Sequence, residues 1–164
     1  MKKLLSLLLA VSMLLSLGAS AASAETALPA VGETVEGFTV KELREIPFLG
    51  GTAVLFEHDR TGGKLLYIAN SDTERCFALS FYTRAHDNTG LPHVFEHATL
   101  SGSEKYPSSA LYFNLVNQTY NTYMNAVTAQ YATYYPIASL SEKQLLALAD
   151  CYVDSCYHPN VMTD

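Results

Sequence analysis

Runs of apolar, β-forming residues predict several β-strands in the first half of the chain. Residues 34–46 are moderately strand-like. Two further β-rich runs, at residues 52–57 and 64–69, flank the segment 59–63, whose two glycines suit a hairpin turn. Residues 76–83 are rich in β-forming side chains and predict another strand, largely buried. The pattern therefore predicts a β-hairpin accompanied by at least two other strands.

Helical spacing of apolar residues predicts two helices after the polar loop that ends at Gly90. Pro92 suits the first turn of a helix because its missing N–H would have no partner there, and Asn88 or Thr89 can cap this helix upstream. The helix is expected to end near Gly102. Apolar residues recur at helical spacing within residues 109–118, which predicts the second helix.

The remainder of the chain mixes strands with one more helix. Residues 122–128 and 131–137 are strand-like. Ser141 is followed three residues later by Gln144, as in a capping box, and the helix that begins there runs towards residues 158–159. Strands and helices that do not alternate strictly indicate an α+β fold, an antiparallel β-sheet packed with helices, rather than a doubly wound parallel sheet.

Residues 1–24 have the pattern of a secretory signal peptide. Two lysines precede an apolar run at residues 4–17, and the small residues 22–24 (ASA) form a cleavage signal. The apolar run is too short for a helix that spans a bilayer, and a retained N-terminal anchor is the weaker alternative. We therefore expect an exported protein (extracellular, on the cell surface or periplasmic), without a stable membrane span, whose residues 25–164 form one domain.

Charge and cysteine content argue against a nucleic-acid-binding protein and against a disulfide-stabilised one. The chain of 164 residues has a net charge of −6 at pH 7, and no basic run follows residue 24, so a nucleic acid partner is not expected. The three cysteines are an odd number, and Cys151 and Cys156 lie five positions apart on a predicted helix, where they point to different faces. Buried thiols are a simpler interpretation than a disulfide framework.

Residues 93–97 form the motif H-x-x-E-H. On a helix, His93 and His97 lie on one face and can bind the same ion, while Glu96 projects nearby and can take a proton from water. Catalytic zinc uses about three protein ligands and one open position for water. This order is the inverzincin signature and predicts one Zn²⁺ bound by both histidines, with Glu96 as catalytic residue. Val94, Phe95, Ala98 and Leu100 make the helix largely apolar, which favours a cleft wall over a pair of surface histidines.

Four segments together resemble the pitrilysin/insulinase family of zinc peptidases, in particular its presequence-protease-like branch. They are residues 90–97 (GLPHVFEH), 100–107 (LSGSEKYP), 121–128 (NTYMNAVT) and 135–139 (YPIAS). The resemblance covers roughly residues 53–161. It implies a processing-peptidase-like metallohydrolase domain within the α+β class.

The resemblance also implies a function and its residues. The protein would be a zinc-dependent metalloendopeptidase that cleaves unfolded peptides added as a strand to a sheet edge. His93 and His97 would bind zinc and Glu96 would activate water. The strand that carries Asn125 and Ala126 would line the substrate cleft, and Asn125 would hydrogen-bond the peptide backbone.

One feature of the family has no counterpart after His97. In the family, a glutamate on a later helix is the third zinc ligand, and no such Asn-Glu motif follows in this chain. Asp150 and Asp154 are carboxylates, but the helix that carries them precedes the ligand-bearing one. We therefore expect a truncated domain that needs a C-terminal portion of the same protein or a partner half, and that is inactive or weakly active in isolation.

Three alternatives remain open. An S-ribosylhomocysteine lyase-like enzyme would use a later cysteine, Cys151 or Cys156, as third ligand, but the signal peptide and residues 105–107 (KYP) argue against it. A non-catalytic, peptide-binding scaffold member of the family is disfavoured by the intact H-x-x-E-H motif. A simple metal-binding module would retain zinc without hydrolysing peptides.

Overall fold

The computed structural model describes residues 27–162, which form two compact units. The first unit ends at Asp72 and the second begins at Thr73. The signal peptide predicted at residues 1–24 lies outside the described residues. Every strand pair within each unit is antiparallel, and the α-helices belong to the second unit, while the first unit contains a short 3-10 helix at Pro47–Leu49. The predicted α+β class with antiparallel sheets is therefore confirmed.

The first unit contains one four-stranded sheet. Its strands are β1 (Thr34–Val35), β2 (Phe38–Ile46), β3 (Gly51–His58) and β4 (Lys64–Ala69), paired in that order. The predicted hairpin is present as β3 and β4. The single strand predicted at residues 34–46 is instead two strands, because the chain reverses at Glu36 and Gly37, which have φ angles of 50° and 82°. Glycine adopts such angles without the steric cost that a side chain adds.

The core of the first unit lies on one face of this sheet. Phe38 and Val40 alternate along β2, and Val54 and Phe56 alternate along β3, so that all four side chains point to the same side and are buried. Full burial of such side chains stabilises a fold by about 1.5–3 kcal/mol each. This sheet lies outside the part of the chain that carries the H-x-x-E-H motif.

The second unit packs three helices with a second antiparallel sheet. The strands are β5 (Arg75–Tyr82), β6 (Tyr123–Met124), β7 (Val127–Thr128) and β8 (Ala132–Ser139), and the helices are α1 (Leu91–Thr99), α2 (Leu111–Gln118) and α3 (Glu142–Tyr157). Strand β8 is central, with β5 on one side and the short strands β6 and β7 paired along it as well. The predicted second and third helices are both present.

Strand β5 is less buried than its composition predicts. Phe77 and Leu79 are half-buried, whereas Ala78 and Ser80 between them are exposed. The alternation arises because neighbouring side chains of a strand point to opposite faces, and both β5 and β8 pack against α3. The prediction of a largely buried strand was therefore wrong.

The two helix starts predicted from capping residues differ in outcome. Helix α1 begins after Gly90, which has a φ of 73°, and no side chain caps it; Thr89 instead donates its N–H and hydroxyl to Asp87 within the preceding loop. Helix α3 begins as predicted, because Ser141 Oγ accepts from the backbone N–H of Gln144 at 3.4 Å. The amide oxygen of Gln144 accepts from Tyr120 N, so the reciprocal bond of a capping box is not made.

Candidate active site

A cavity of about 580 Å³ lies in the second unit, between helices α1 and α2 and the segment that contains β6 and β7. Its polar side is formed by the H-x-x-E-H residues. The residues that line it are His93, Glu96, His97, Leu100, Ser101, Ser109, Ala110, Tyr112, Phe113, Asn125, Ala126, Val127 and Thr128. The fold therefore brings together in one cavity all five residues that the sequence singled out for catalysis, metal binding and substrate binding.

The two histidines meet at the cavity wall. They are four residues apart on α1, and their Nε2 atoms are 3.1 Å from each other. The rings lie 4.8 Å apart between centroids, so both nitrogens can reach a single metal ion. Within residues 27–162, no cluster of three or more His, Cys, Asp or Glu side chains is arranged to hold a metal. The described part of the chain thus brings two imidazoles together at the cavity wall.

Glu96 lies on the inward side of the same helix. Only 6% of its surface is exposed, and its Oε2 accepts a hydrogen bond from Thr128 Oγ1 at 2.6 Å. A buried carboxylate is stable only where hydrogen-bond donors replace water, and Thr128 is such a donor. Of the apolar residues that favoured a cleft wall, Val94 and Phe95 are exposed, whereas Leu100 is buried and lines the cavity. The inward face of α1 is the one that carries Glu96.

The segment opposite α1 is a sheet edge interrupted at Asn125 and Ala126. The pairing register with β8 is the same on both sides of the interruption. Pro136 is the residue opposite Asn125 in this register, and proline has no N–H to donate to the ladder. Asn125 N still donates to Pro136 O at 3.1 Å, and the Asn125 carbonyl accepts from the hydroxyl of Tyr152 at 3.1 Å. Tyr152 of α3 therefore supplies the donor that Pro136 lacks.

Replacement of Tyr152 by phenylalanine is expected to destabilise the chain by about 1–2 kcal/mol, because the Asn125 carbonyl loses its side-chain donor while the buried ring keeps its shape. Burial raises the pKa of Tyr152, so its hydroxyl remains protonated and can donate. Urea unfolding measures the loss. The control Tyr82→Phe alters an exposed tyrosine and should change stability by less than about 0.5 kcal/mol. Equal effects of both variants would contradict the assigned bond.

Side chains of the second unit already pair with parts of this edge. Met124 O accepts from the hydroxyl of Tyr112 at 3.2 Å, and Ala126 N donates to Asn125 Oδ1 at 2.9 Å. Asn125 Nδ2 lies 3.5 Å from the hydroxyl of Tyr123, at the outer limit of a hydrogen bond. Asn125 and Ala126 thus both line the cavity, with the amide oxygen of Asn125 bonded to the neighbouring N–H.

The two cysteines considered as alternative metal ligands are elsewhere. Neither Cys151 nor Cys156 lines the cavity, although both are on α3. Burial raises the pKa of both thiols, that of Cys156 to about 12. Metal binding requires the thiolate, and burial disfavours the thiolate. The expectation of buried thiols is therefore met by Cys151, whereas Cys156 is half-buried and Cys76 is exposed.

The two aspartates of α3 anchor the loop that follows α1. Asp150 Oδ2 accepts from Lys105 Nζ and from the hydroxyl of Tyr106. Asp154 accepts from the backbone N–H of Lys105 at 2.9 Å, and its other oxygen is 3.2 Å from His158 Nδ1. These carboxylates thus hold residues 105 and 106 against α3 and do not face the cavity.

The chain is similar to known proteins over most of its length. No family model matches the chain. It is 40% identical over 150 residues to the mitochondrial presequence protease of Gibberella zeae, a match that covers 90% of this chain and 15% of the relative. The presequence protease of Xenopus tropicalis is 41% identical over 130 residues, which cover 79% of this chain and 13% of that relative. The chain therefore spans about 13–15% of the length of these relatives.

A solved structure shares the fold. The crystal structure of pitrilysin superposes with a TM-score of 0.64 at 22% identity, covering 75% of this chain and 14% of that chain. The chain therefore shares its fold with pitrilysin, and in this chain the H-x-x-E-H helix α1 belongs to the same unit as the antiparallel sheet of β5 to β8. The chain belongs to the pitrilysin/insulinase family and is similar to its presequence-protease branch.

The expectation of export was wrong. Both relatives are named as mitochondrial proteins, a location that differs from the extracellular, cell-surface or periplasmic one predicted from residues 1–24. That prediction depended on the composition of one short segment, in which basic residues are followed by apolar ones. The composition of this segment is independent of the fold that the relatives share. Among the helices that the structure describes, none is both long and apolar enough to span a membrane.

Proposed function

We propose that this chain provides the zinc-binding helix and the substrate-binding edge of a metalloendopeptidase that cleaves unfolded peptides. One observation carries the proposal. Two imidazole nitrogens 3.1 Å apart lie in the same cavity as a buried carboxylate and an interrupted sheet edge. The relatives, named as proteases, support the same reaction class.

The histidine geometry fits zinc. Two nitrogens bound to one tetrahedral zinc at about 2.0–2.1 Å are separated by roughly 3.3 Å, close to the distance between His93 Nε2 and His97 Nε2. Bound zinc would act as a Lewis acid and lower the pKa of water in its open coordination position. His93 and His97 would hold the ion, with their rings fixed by the helix that carries both.

Glu96 would act as the general base. Its Oε2 is bonded to Thr128, and its other carboxylate oxygen would take a proton from the attacking water. The same carboxyl group would then give the proton to the departing amine of the cleaved peptide bond. Because Glu96 is buried, it is screened from bulk water, and its charge acts strongly on groups in the cavity.

The edge at residues 124–128 would bind the peptide by strand addition. Main-chain bonds at a sheet edge do not depend on the substrate's side chains, which suits unfolded peptides of varied sequence. Addition of a strand would require the Ala126 N–H to leave Asn125 Oδ1, and the freed amide of Asn125 would then bond to the peptide backbone. Folded proteins would be poor substrates because their strands are already paired.

A third ligand from outside residues 27–162 would complete the metal site. Catalytic zinc needs about three protein ligands, and the described residues offer two at the cavity. We therefore expect the isolated chain to bind zinc weakly and to hydrolyse peptides slowly. The lyase-like alternative would need Cys151 or Cys156 as a ligand, and neither lines the cavity.

The test is a chimera in which this chain replaces the matching segment of the Xenopus tropicalis presequence protease. With zinc, the chimera should cleave an unstructured quenched-fluorescent peptide, and it should lose activity with a chelator and regain it when zinc is restored. The isolated chain should be at least about tenfold slower. A chimera that binds zinc and peptide without cleaving would support the scaffold alternative. A chimera that binds zinc but no peptide would indicate a simple metal-binding module.

A further inference from the structure

Thr128 lies where the substrate edge meets the proposed base. It belongs to β7, at the end of the interrupted edge, and its side chain lines the cavity. Its hydroxyl donates to Glu96 Oε2 at 2.6 Å, although the two residues are 32 positions apart in the chain. The sequence segment 121–128 includes Thr128 but gave it no role, because its partner lies on a different element.

The bond leaves the two oxygens of Glu96 in different surroundings. A short hydrogen bond to a charged acceptor is about twice as strong as one between neutral groups, and it fixes the orientation of the carboxylate. With Oε2 held by Thr128, the other oxygen is the one available to a reacting water. The backbone of Thr128 continues the strand that would hold the peptide. Thr128 therefore fixes the position of the Glu96 carboxylate relative to that strand.

On the basis of the function proposed above, we propose that Thr128 is a positioning residue for Glu96: its hydroxyl aligns the carboxylate with the peptide held on the β6–β7 edge. The hydroxyl acts through Glu96 and takes no part in the proton transfer. Serine can replace threonine in this role because it retains the donor. Valine has the shape of threonine but has no donor, so it cannot.

The first test is a double-mutant cycle in the whole chain, measured by urea unfolding without substrate. Thr128→Val should lower the equilibrium constant for folding at least about tenfold while Glu96 is present, because the buried carboxylate loses its donor. In a Glu96→Leu background the same change should alter that constant less than about twofold, because no carboxylate then needs the donor. Thr128→Ser should retain most of the stability.

A matched control is Thr83→Val. Thr83 and Thr133 share a side-chain hydrogen bond of 2.6 Å in the same sheet. Loss of this Thr83–Thr133 hydrogen bond should lower the free energy of unfolding by the same amount whether or not residue 96 is glutamate. If Thr128→Val were equally harmful in both backgrounds, or if Thr128→Ser were as harmful as Thr128→Val, the bond to Glu96 would not be the role of Thr128.

The second test separates positioning from a merely structural role. In the chimera, Thr128→Val should lower kcat about tenfold with KM unchanged, while Thr128→Ser stays within about threefold of the parent. A change in KM alone, or equal losses in both variants, would overturn the positioning role. The double-mutant cycle measures unfolding and needs no hydrolysis. A chimera that never cleaves the peptide would therefore contradict the proposed peptidase function without affecting the measured coupling between Thr128 and Glu96.

Discussion

Glu96→Gln should lower the kcat of the chimera by about a thousandfold or more. Glutamine has the size of glutamate and still offers an oxygen to the Thr128 hydroxyl, so the helix and the cavity should keep their form. An amide cannot accept the proton that the attacking water must lose. The measurement is steady-state hydrolysis of the quenched-fluorescent peptide, with KM and zinc content determined in parallel.

Glu104→Gln is the matched control for this prediction. Glu104 is exposed in the loop that follows α1 and does not line the cavity. Its neutralisation should leave kcat within about twofold of the parent. If Glu96→Gln kept more than about a tenth of the activity while Glu104→Gln behaved like the parent, another group would have to act as the base.

His97→Ala should weaken zinc binding about a hundredfold or more. The described residues place two imidazoles at the site, so within residues 27–162 the variant retains only His93 there. Loss of a group that merely supports a ligand already costs 10–100-fold in metal affinity, and loss of a ligand should cost at least as much. Competition between the isolated chain and a chromophoric chelator measures the affinity directly and requires no catalysis.

Two variants serve as controls for the metal prediction. His86→Ala removes an exposed histidine of the loop before α1 and should leave zinc affinity unchanged. Glu96→Gln should also retain zinc, because Glu96 is proposed as base and not as ligand. Zinc loss in Glu96→Gln equal to that in His97→Ala would reassign Glu96 as a ligand and remove it as the proposed base.

Local signals in the sequence sufficed for the main elements. The two glycines at Gly62 and Gly63 marked the hairpin of β3 and β4, which the structure contains. Ser141 marked the start of α3, where its hydroxyl caps the helix. The spacing of His93 and His97 placed both imidazoles on one side of α1, since four residues make about one helical turn. Each of these features depends on residues that lie within a few positions of one another in the sequence.

Features that depend on distant partners could not be predicted. Apolar Val94 and Phe95 suggested a buried helix face, yet both are exposed, because tertiary packing turned Glu96 inward instead. Pro136 indicated that the strand pairing would be interrupted, because proline has no N–H. The donor that replaces it, the hydroxyl of Tyr152, is 27 residues from Asn125 in the chain and could not be predicted. The prediction of export failed for a different reason, since it depended on composition at the N-terminus alone.

The sequence by itself determined the α+β class, the helix that carries the H-x-x-E-H motif and the family to which the chain belongs. Periodicity, turn residues and a five-residue motif are local, and local spacing fixes which side chains share a face of one element. Only the tertiary structure decided that Thr128 holds Glu96, that Tyr152 replaces the missing donor of Pro136, and that Cys151 and Cys156 lie away from the cavity. These contacts join separate elements, and their geometry follows from how the helices pack on the sheet.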